Sequence, residues 1–182
     1  MRKSKMKNIL FAAAMMFGFT LYAQDTAVAP SAENYDQGWR LGFGLNLGAV
    51  TDDLYDWSIG GDVRAQYDFN RRVSVTMTTG FTNMFIGNDV PDLGFIPVKA
   101  GFKVFWWENS FYALAEAGAA FPVTNDYSGQ VDNSLLLSPG IGWANDYFDL
   151  SIRYEHYSDF PTEDGGTGVG QIAVRFAYGF KL

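Results

Sequence analysis

The chain has 182 residues, no cysteine, and 20 acidic against 13 basic side chains, which gives a formal net charge of −7. This length suits one domain, and the absence of cysteine excludes a disulfide-stapled scaffold. The acidic balance argues against a nucleic-acid binder, and no His or Cys cluster indicates a zinc site.

The first 23 residues are typical of a secretory signal peptide. Basic residues at positions 2, 3, 5 and 7 precede an apolar run over residues 9–21, and we predict cleavage after Ala23. The run is shorter than the ~20 residues that a membrane-spanning helix needs. Removing residues 1–23 leaves nine basic against 20 acidic side chains. Residues 24–38 are rich in Ala, Asp and Ser and are predicted to form a flexible periplasmic leader.

From Trp39 to Leu182 the chain alternates apolar and polar side chains in eight short segments. Successive side chains of a strand point to opposite faces, so each segment predicts a strand with one apolar face. No charged side chain lies on any of these apolar faces. In chain order, the apolar faces begin at Trp39, Trp57, Val73, Ile96, Phe111, Leu135, Phe148 and Ile172.

Ten charged side chains within the predicted strands lie on the face opposite to the apolar one. Alternation alone does not tell which face meets water, because a soluble sandwich would turn its charges outward. In an eight-stranded membrane barrel the charges would instead fill a narrow interior, where they must pair. This predicted interior charge network consists of Arg40, Asp62, Arg64, Lys99, Lys103, Glu116, Asp149, Arg153, Glu155 and Arg175.

Short and long connections alternate along the chain. Compact turns are predicted at residues 68–71, 107–110 and 144–147, and longer connections at 49–56, 83–94, 122–133 and 158–168. Both termini then lie at the short-turn end, which is the asymmetry of outer-membrane barrels. We therefore predict an all-β, eight-stranded, antiparallel, up-and-down transmembrane barrel over residues 39–182. It would be integral to the bacterial outer membrane, with periplasmic termini.

Aromatic residues gather where the predicted strands should meet the two membrane interfaces, as expected of a membrane barrel. Those near the short-turn end are Trp39, Tyr67, Phe69, Trp106, Trp107, Phe111, Trp143, Tyr147 and Phe148. Those near the other end are Trp57, Phe81, Phe85, Phe95 and Phe121.

Four strand segments, at residues 96–103, 136–143, 151–155 and 177–182, resemble the small outer-membrane β-barrel proteins of Bacteroidetes-type bacteria. The architecture is similar to the OmpA/OmpX type. The resemblance implies a barrel surrounded by outer-membrane lipid and lipopolysaccharide, with a terminal strand that the barrel-assembly machinery reads. The residues that fit this assembly signal are Phe176, Tyr178, Phe180 and Leu182.

The four long connections carry acidic residues and no Lys or Arg. We predict a non-enzymatic protein that acts through these loops in a structural, surface-interaction or adhesion role, with an external partner that the sequence does not identify. The carboxylates could also bind divalent cations and so bridge to lipopolysaccharide; no other cofactor is predicted. The acidic residues are Asp52, Asp53, Asp56, Asp89, Asp92, Asp126, Asp132, Asp159, Glu163 and Asp164.

Residues 153–159 suggest an alternative function. His156, the only histidine, and Ser158 share the apolar-facing parity near the outer end of the seventh strand. This pattern resembles the His-x-Ser stretch of outer-membrane lipid A 3-O-deacylases, which implies Ser158 as nucleophile and His156 as general base. An acid to orient the imidazole could come only from a loop, as Glu163 or Asp164. A further alternative is a narrow small-solute or ion pore, which would need an unfilled interior.

Overall fold

The computed structural model describes residues 37–87, 91–106, 110–124 and 131–182. Over these residues each strand pairs antiparallel with the next and the last pairs with the first, which closes a barrel and confirms the predicted fold. The strands are β1 Gly38–Val50, β2 Tyr55–Asp68, β3 Val73–Ile86, β4 Leu93–Trp106, β5 Phe111–Pro122, β6 Ser134–Ala144, β7 Phe148–Pro161 and β8 Thr167–Lys181. The predicted signal peptide and all but the last two residues of the predicted leader lie outside the described residues.

The apolar face of each strand points out of the barrel and the ionic face points in. Leu45 and Met77 are 68% and 63% exposed, whereas Thr78, the next residue along β3, is 1% exposed. An eight-stranded barrel encloses only enough space for its own side chains, so the inward residues form its core. Within the described residues, no helix has the length and apolar character needed to cross a membrane.

Asparagine side chains close both of the short turns that lie wholly within the described residues. In the β2–β3 turn, Asn70 Oδ1 accepts the backbone N–H groups of Arg72 and Val73 at 2.8 and 2.9 Å. In the β6–β7 turn, Asn145 Oδ1 accepts the N–H group of Phe148 at 2.7 Å. Such local side-chain bonds to the backbone stabilise a tight reversal of the chain.

Two prolines interrupt the hydrogen-bonded ladder without ending their strands. Pro139 lies within β6 and pairs with Ala115 of β5, but pairing with β7 stops after Leu137 and resumes at Gly140. Pro97 of β4 has the same effect on the side of β3. Proline has no N–H to donate, so the neighbouring strand loses its partner at that position.

A buried apolar layer fills the barrel interior at the end that carries the long loops. Phe95 was predicted to lie at the membrane interface, and that prediction is wrong, because Phe95 is fully buried inside. Its ring centroid lies 5.2 Å from that of Tyr157 and 5.1 Å from that of Phe160. Phe95 shares the inward parity of Lys99, which explains its direction. The layer consists of Tyr55, Met84, Leu93, Phe95, Ala120, Leu136, Tyr157, Phe160 and Val169.

Candidate functional site

Below the apolar layer, all ten residues of the predicted interior charge network lie on the inner face of the barrel. Eight of them are buried. The side chains of the other two, Arg40 and Asp149, are 29% and 17% exposed. Both of these residues lie toward the short-turn end, so the network runs from that end up to the apolar layer.

Glu116 of β5 is the centre of the network. Arg64 Nη2 donates to both of its oxygens at 3.1 and 3.2 Å, and the Thr78 hydroxyl donates to Oε1 at 2.9 Å. Lys99 Nζ and Arg153 Nη1 lie 3.8 and 3.5 Å from Oε2. One carboxylate therefore meets three cations from three other strands, which ties opposite walls of the barrel together.

Arg175 and Asp62 form a bidentate ion pair across β1. Arg175 Nε and Nη2 donate to the Asp62 carboxylate at 2.6–3.1 Å, and Asn46 adds a bond at 2.8 Å. Gly44 of β1 lies between the two strands, and a Cβ atom there would be 2.7 Å from Arg175 Nε. The glycine thus leaves the space through which the long side chain reaches its partner. Bidentate charged pairs of this kind are among the stronger polar contacts in proteins.

A second group of donors surrounds the Asp149 carboxylate. Lys103 Nζ forms a close ion pair with it, and the Tyr112 hydroxyl donates to Oδ1 at 2.6 Å. Lys103 Nζ also lies 4.2 Å from the centroid of the Tyr112 ring, a cation–π contact. Arg64 Nη1 and Arg175 Nη1 approach the same carboxylate at 4.0 and 3.7 Å. Asp149 is therefore balanced by several cations rather than by one.

Glu155 joins the network to the apolar layer above it. Lys99 Nζ lies 2.6 Å from Glu155 Oε1, and the hydroxyl of Tyr157, which belongs to the apolar layer, donates to Oε2 at 2.8 Å. Gln171 Nε2 donates to Oε2 at 2.7 Å. Since such contacts cross the interior from wall to wall, the described interior is filled by side chains, and this filling does not favour the narrow-pore alternative.

The sequence analysis missed Asp68, which it placed in a turn. Asp68 is 4% exposed and accepts a bond from Arg40 Nε at 2.7 Å. Gln66 and Ser74 also donate to it, at 2.7 and 2.5 Å. The signal was present in the sequence, because Asp68 has the same parity as the inward-facing Gln66 and Arg64.

The residues of the hydrolase alternative do not form a catalytic arrangement in the described structure. His156 and Ser158 are half-buried on the outer face of β7 and share that face, whereas Glu163 and Asp164 are exposed in the β7–β8 connection. Among the described residues, the His156 side chain makes no hydrogen bond or ion pair with Ser158 or with an acid. The Glu163 backbone N–H donates to Asp52 instead. Nothing in this arrangement orients the imidazole toward a serine.

The acids at the long-loop end fall into two groups. Asp52, Asp92 and Asp159 accept backbone N–H groups, at 3.0 Å from Leu54 and 3.1 Å from Ile86 in the first two cases. In a second group, at the long-loop end, the side-chain carboxylates are exposed and form no hydrogen bond or ion pair with other described residues. We call this group the free loop acids, and it includes Asp56 at the start of β2. The free loop acids are Asp53, Asp56, Asp132, Glu163 and Asp164.

Two of the predicted loop acids cannot be placed in the structure. Asp89 and Asp126 lie outside the described residues. Over the part of the chain that is described, no group of three or more His, Cys, Asp or Glu side chains comes close enough to hold a metal ion. The free loop acids, all exposed, give this end of the barrel a negatively charged surface.

No protein-family model and no curated protein sequence matches this chain, but solved structures do. Ail, the attachment invasion locus protein of Yersinia pestis, is 21% identical with a TM-score of 0.52 over 79% of this chain and 99% of its own. The N-terminal β-barrel domain of Pseudomonas aeruginosa OprF is 10% identical, with a TM-score of 0.54 over 80% of this chain and 100% of its own. For Neisserial surface protein A the identity is 12% and the TM-score 0.50, over 78% and 96%. The chain thus shares the fold of small eight-stranded outer-membrane barrels.

Proposed function

We propose that this chain spans the bacterial outer membrane as a barrel with a filled interior and acts at the cell surface through its acidic loop end. The observation that carries the proposal is the inverted distribution of polarity. Large apolar side chains such as Leu45 and Ile141 are 68% and 61% exposed, whereas Arg153 and Arg175 are each 1% exposed. An apolar surface that encircles a whole barrel matches lipid tails and would be unfavourable in water.

Exposed aromatic rings at both ends of the barrel support a membrane-spanning position. Trp39 and Tyr147 are 55% and 57% exposed near the short-turn end, and Trp57 and Phe81 are 45% and 49% exposed toward the other. The amphipathic rings of Trp39, Trp57 and Tyr147 favour the depth of lipid headgroups. The strands, from 11 residues in β6 to 15 in β8, are also long enough to cross the hydrocarbon core.

The terminal strand supports the proposed assembly signal. Phe176, Tyr178 and Phe180 point outward and are 52%, 48% and 37% exposed. The backbone N–H of Leu182 still donates to the carbonyl of Trp39, at 2.9 Å. β8 thus has an outward apolar face, and the backbone edge that β1 covers in the closed barrel is available to the assembly machinery before closure.

The charge of the loop end indicates the chemistry of the external partner. Ail is described as an attachment protein, and one of its structures holds the heparin analogue sucrose octasulfate, a polyanion. In this chain the four long connections contain no Lys or Arg. Because like charges repel across an interface, we propose a partner with a cationic surface rather than a sulfated one.

Binding by the barrel in nanodiscs of zwitterionic lipid tests this proposal. We expect it to bind poly-L-lysine, more weakly as salt rises, and not to bind heparin. Neutralising four free loop acids (Asp53→Asn, Asp56→Asn, Glu163→Gln, Asp164→Asn) should weaken poly-L-lysine binding at least tenfold. The control is Asp146→Asn, which removes one exposed charge at the short-turn end and should leave binding unchanged. Heparin binding, or full poly-L-lysine binding by the loop variant, would contradict the proposal.

A further inference from the structure

Together with Asp68, the interior charge network holds six cations and five anions. With the Arg40–Asp68 pair set aside, the cations are Arg64, Lys99, Lys103, Arg153 and Arg175, and the anions are Asp62, Glu116, Asp149 and Glu155. A charge inside a protein is costly unless an opposite charge balances it. The described interior therefore leaves one positive charge without an opposite charge of its own.

The unsatisfied polar atoms of this interior are donors. Among the described residues, four buried side-chain atoms have no hydrogen-bond partner: Arg64 Nη1, Arg153 Nε, Arg153 Nη1 and Ser151 Oγ. The three side chains are at most 3% exposed. Buried donors are nearly always satisfied in folded proteins, because a donor removed from water without a new partner is unfavourable. The three guanidinium nitrogens can only donate, so the partner that they lack is an acceptor, whereas the Ser151 hydroxyl can donate or accept.

These donors belong to side chains that meet in the same part of the barrel. Arg64 Nη2 and Arg153 Nη1 lie 3.2 and 3.5 Å from the same oxygen of Glu116, so the two guanidinium groups flank one carboxylate. Ser151 and Arg153 are consecutive inward residues of β7. On its other side, Arg64 Nη1 lies 4.0 Å from Asp149. The orphaned donors thus occur in the region between the Glu116 and Asp149 carboxylates.

We propose that the barrel holds one small monovalent inorganic anion, of the halide class, among Arg64, Ser151 and Arg153. A single negative charge balances the excess cation, and a halide accepts several N–H and O–H bonds from different directions. Water would satisfy the donors but would leave the charge unbalanced. Because Arg64, Ser151 and Arg153 are at most 3% exposed, we expect the anion to be taken up while the barrel folds and to exchange only slowly afterwards.

Crystallography on the unmodified protein tests the site directly. The denatured chain is refolded into detergent with bromide or with gluconate as the anion, free salt is removed, and diffraction is measured at the bromine absorption edge. We expect one interior anomalous peak, in contact with Arg64 and Arg153, in the bromide sample alone. Bromide bound only at the barrel surface would overturn the proposal. Interior density without an anomalous signal would also overturn it, and would show that water satisfies these donors.

A solution measurement separates the charge argument from a general salt effect. At equal ionic strength, the unmodified barrel should unfold in urea several-fold more slowly after refolding in bromide than in gluconate. Arg153→Gln removes the excess cation and should abolish this difference, whereas Lys181→Gln, at the exposed end of β8, should retain it. A full bromide effect in Arg153→Gln would contradict the proposal. If that variant does not fold, the anomalous map of the unmodified protein decides.

Discussion

At the scale of single residues, small side chains determine where the large ionic ones can go. A Cβ at Gly44 would be 2.7 Å from Arg175 Nε, and one at Gly140 would be 2.6 Å from Arg153 Cγ. The inward direction of both arginines follows from parity and could be predicted from the sequence. Their partners could not, because Arg175 and Asp62 lie 113 residues apart and meet only through the closure of β8 on β1. For the same reason, the sequence does not predict that Glu116 is the centre of the interior charge network.

Adding one methyl group at Gly44 tests the account of these pairs. In Gly44→Ala the new Cβ would displace the Arg175 guanidinium, which three hydrogen bonds hold on Asp62. We expect the free energy of unfolding in detergent to fall by about 3–5 kcal/mol, the typical cost of breaking a buried ion pair.

The matched control for that change is Gly42→Ala, two residues earlier on the same face of β1. There the nearest atom to the new Cβ is the Tyr178 carbonyl oxygen at 3.5 Å, an ordinary contact. This variant should be neutral or slightly more stable, since alanine suits a strand better than glycine. Equal losses of stability in both variants would show that β1 does not tolerate any side chain here, rather than that Arg175 needs the space.

At the scale of elements, the alternating pattern predicts the eight strands and their outward faces. It does not distinguish the apolar layer from the charge network, because Phe95 and Lys99 have the same parity and differ only in their height along β4. The alternating pattern also does not predict the gap in the hydrogen-bonded ladder at Pro139. The position of that gap depends on which neighbouring strand the missing N–H would face. That neighbour is β7, whose pairing with β6 stops and resumes around the proline.

Replacing Pro139 with valine tests the origin of the gap. Pro139→Val restores an N–H group on the outward-facing position of β6 that lies opposite β7. We expect this new amide to exchange slowly with solvent hydrogen and the free energy of unfolding to rise by about 0.5–1.5 kcal/mol, as for one hydrogen bond. The control is Leu137→Val, on the same face where pairing is intact. An amide at position 139 that exchanges as fast as loop amides would show that another feature holds the strands apart.

At the scale of the whole molecule, the barrel combines an apolar exterior, an ionic middle and an acidic end. The even number of strands is sufficient to predict that the start of β1 and the end of β8 share one end of the barrel, because each strand reverses the chain direction. The same kind of reasoning predicts less about the binding surface. Exposed carboxylates such as Asp53 and Asp164 define a sign of charge, but a diffuse charge does not specify the shape of a partner.

The most direct test of the outward apolar face uses the absence of cysteine from the chain. Single variants Met77→Cys and Asp53→Cys are labelled with a nitroxide, placed in lipid bilayers and exposed to oxygen or to a water-soluble nickel chelate. Met77 is 63% exposed on β3, so its label should collide with oxygen and be shielded from nickel, and the label at Asp53, in the β1–β2 loop, should behave in the opposite way. Equal access of nickel to both labels would mean that the apolar face does not contact lipid.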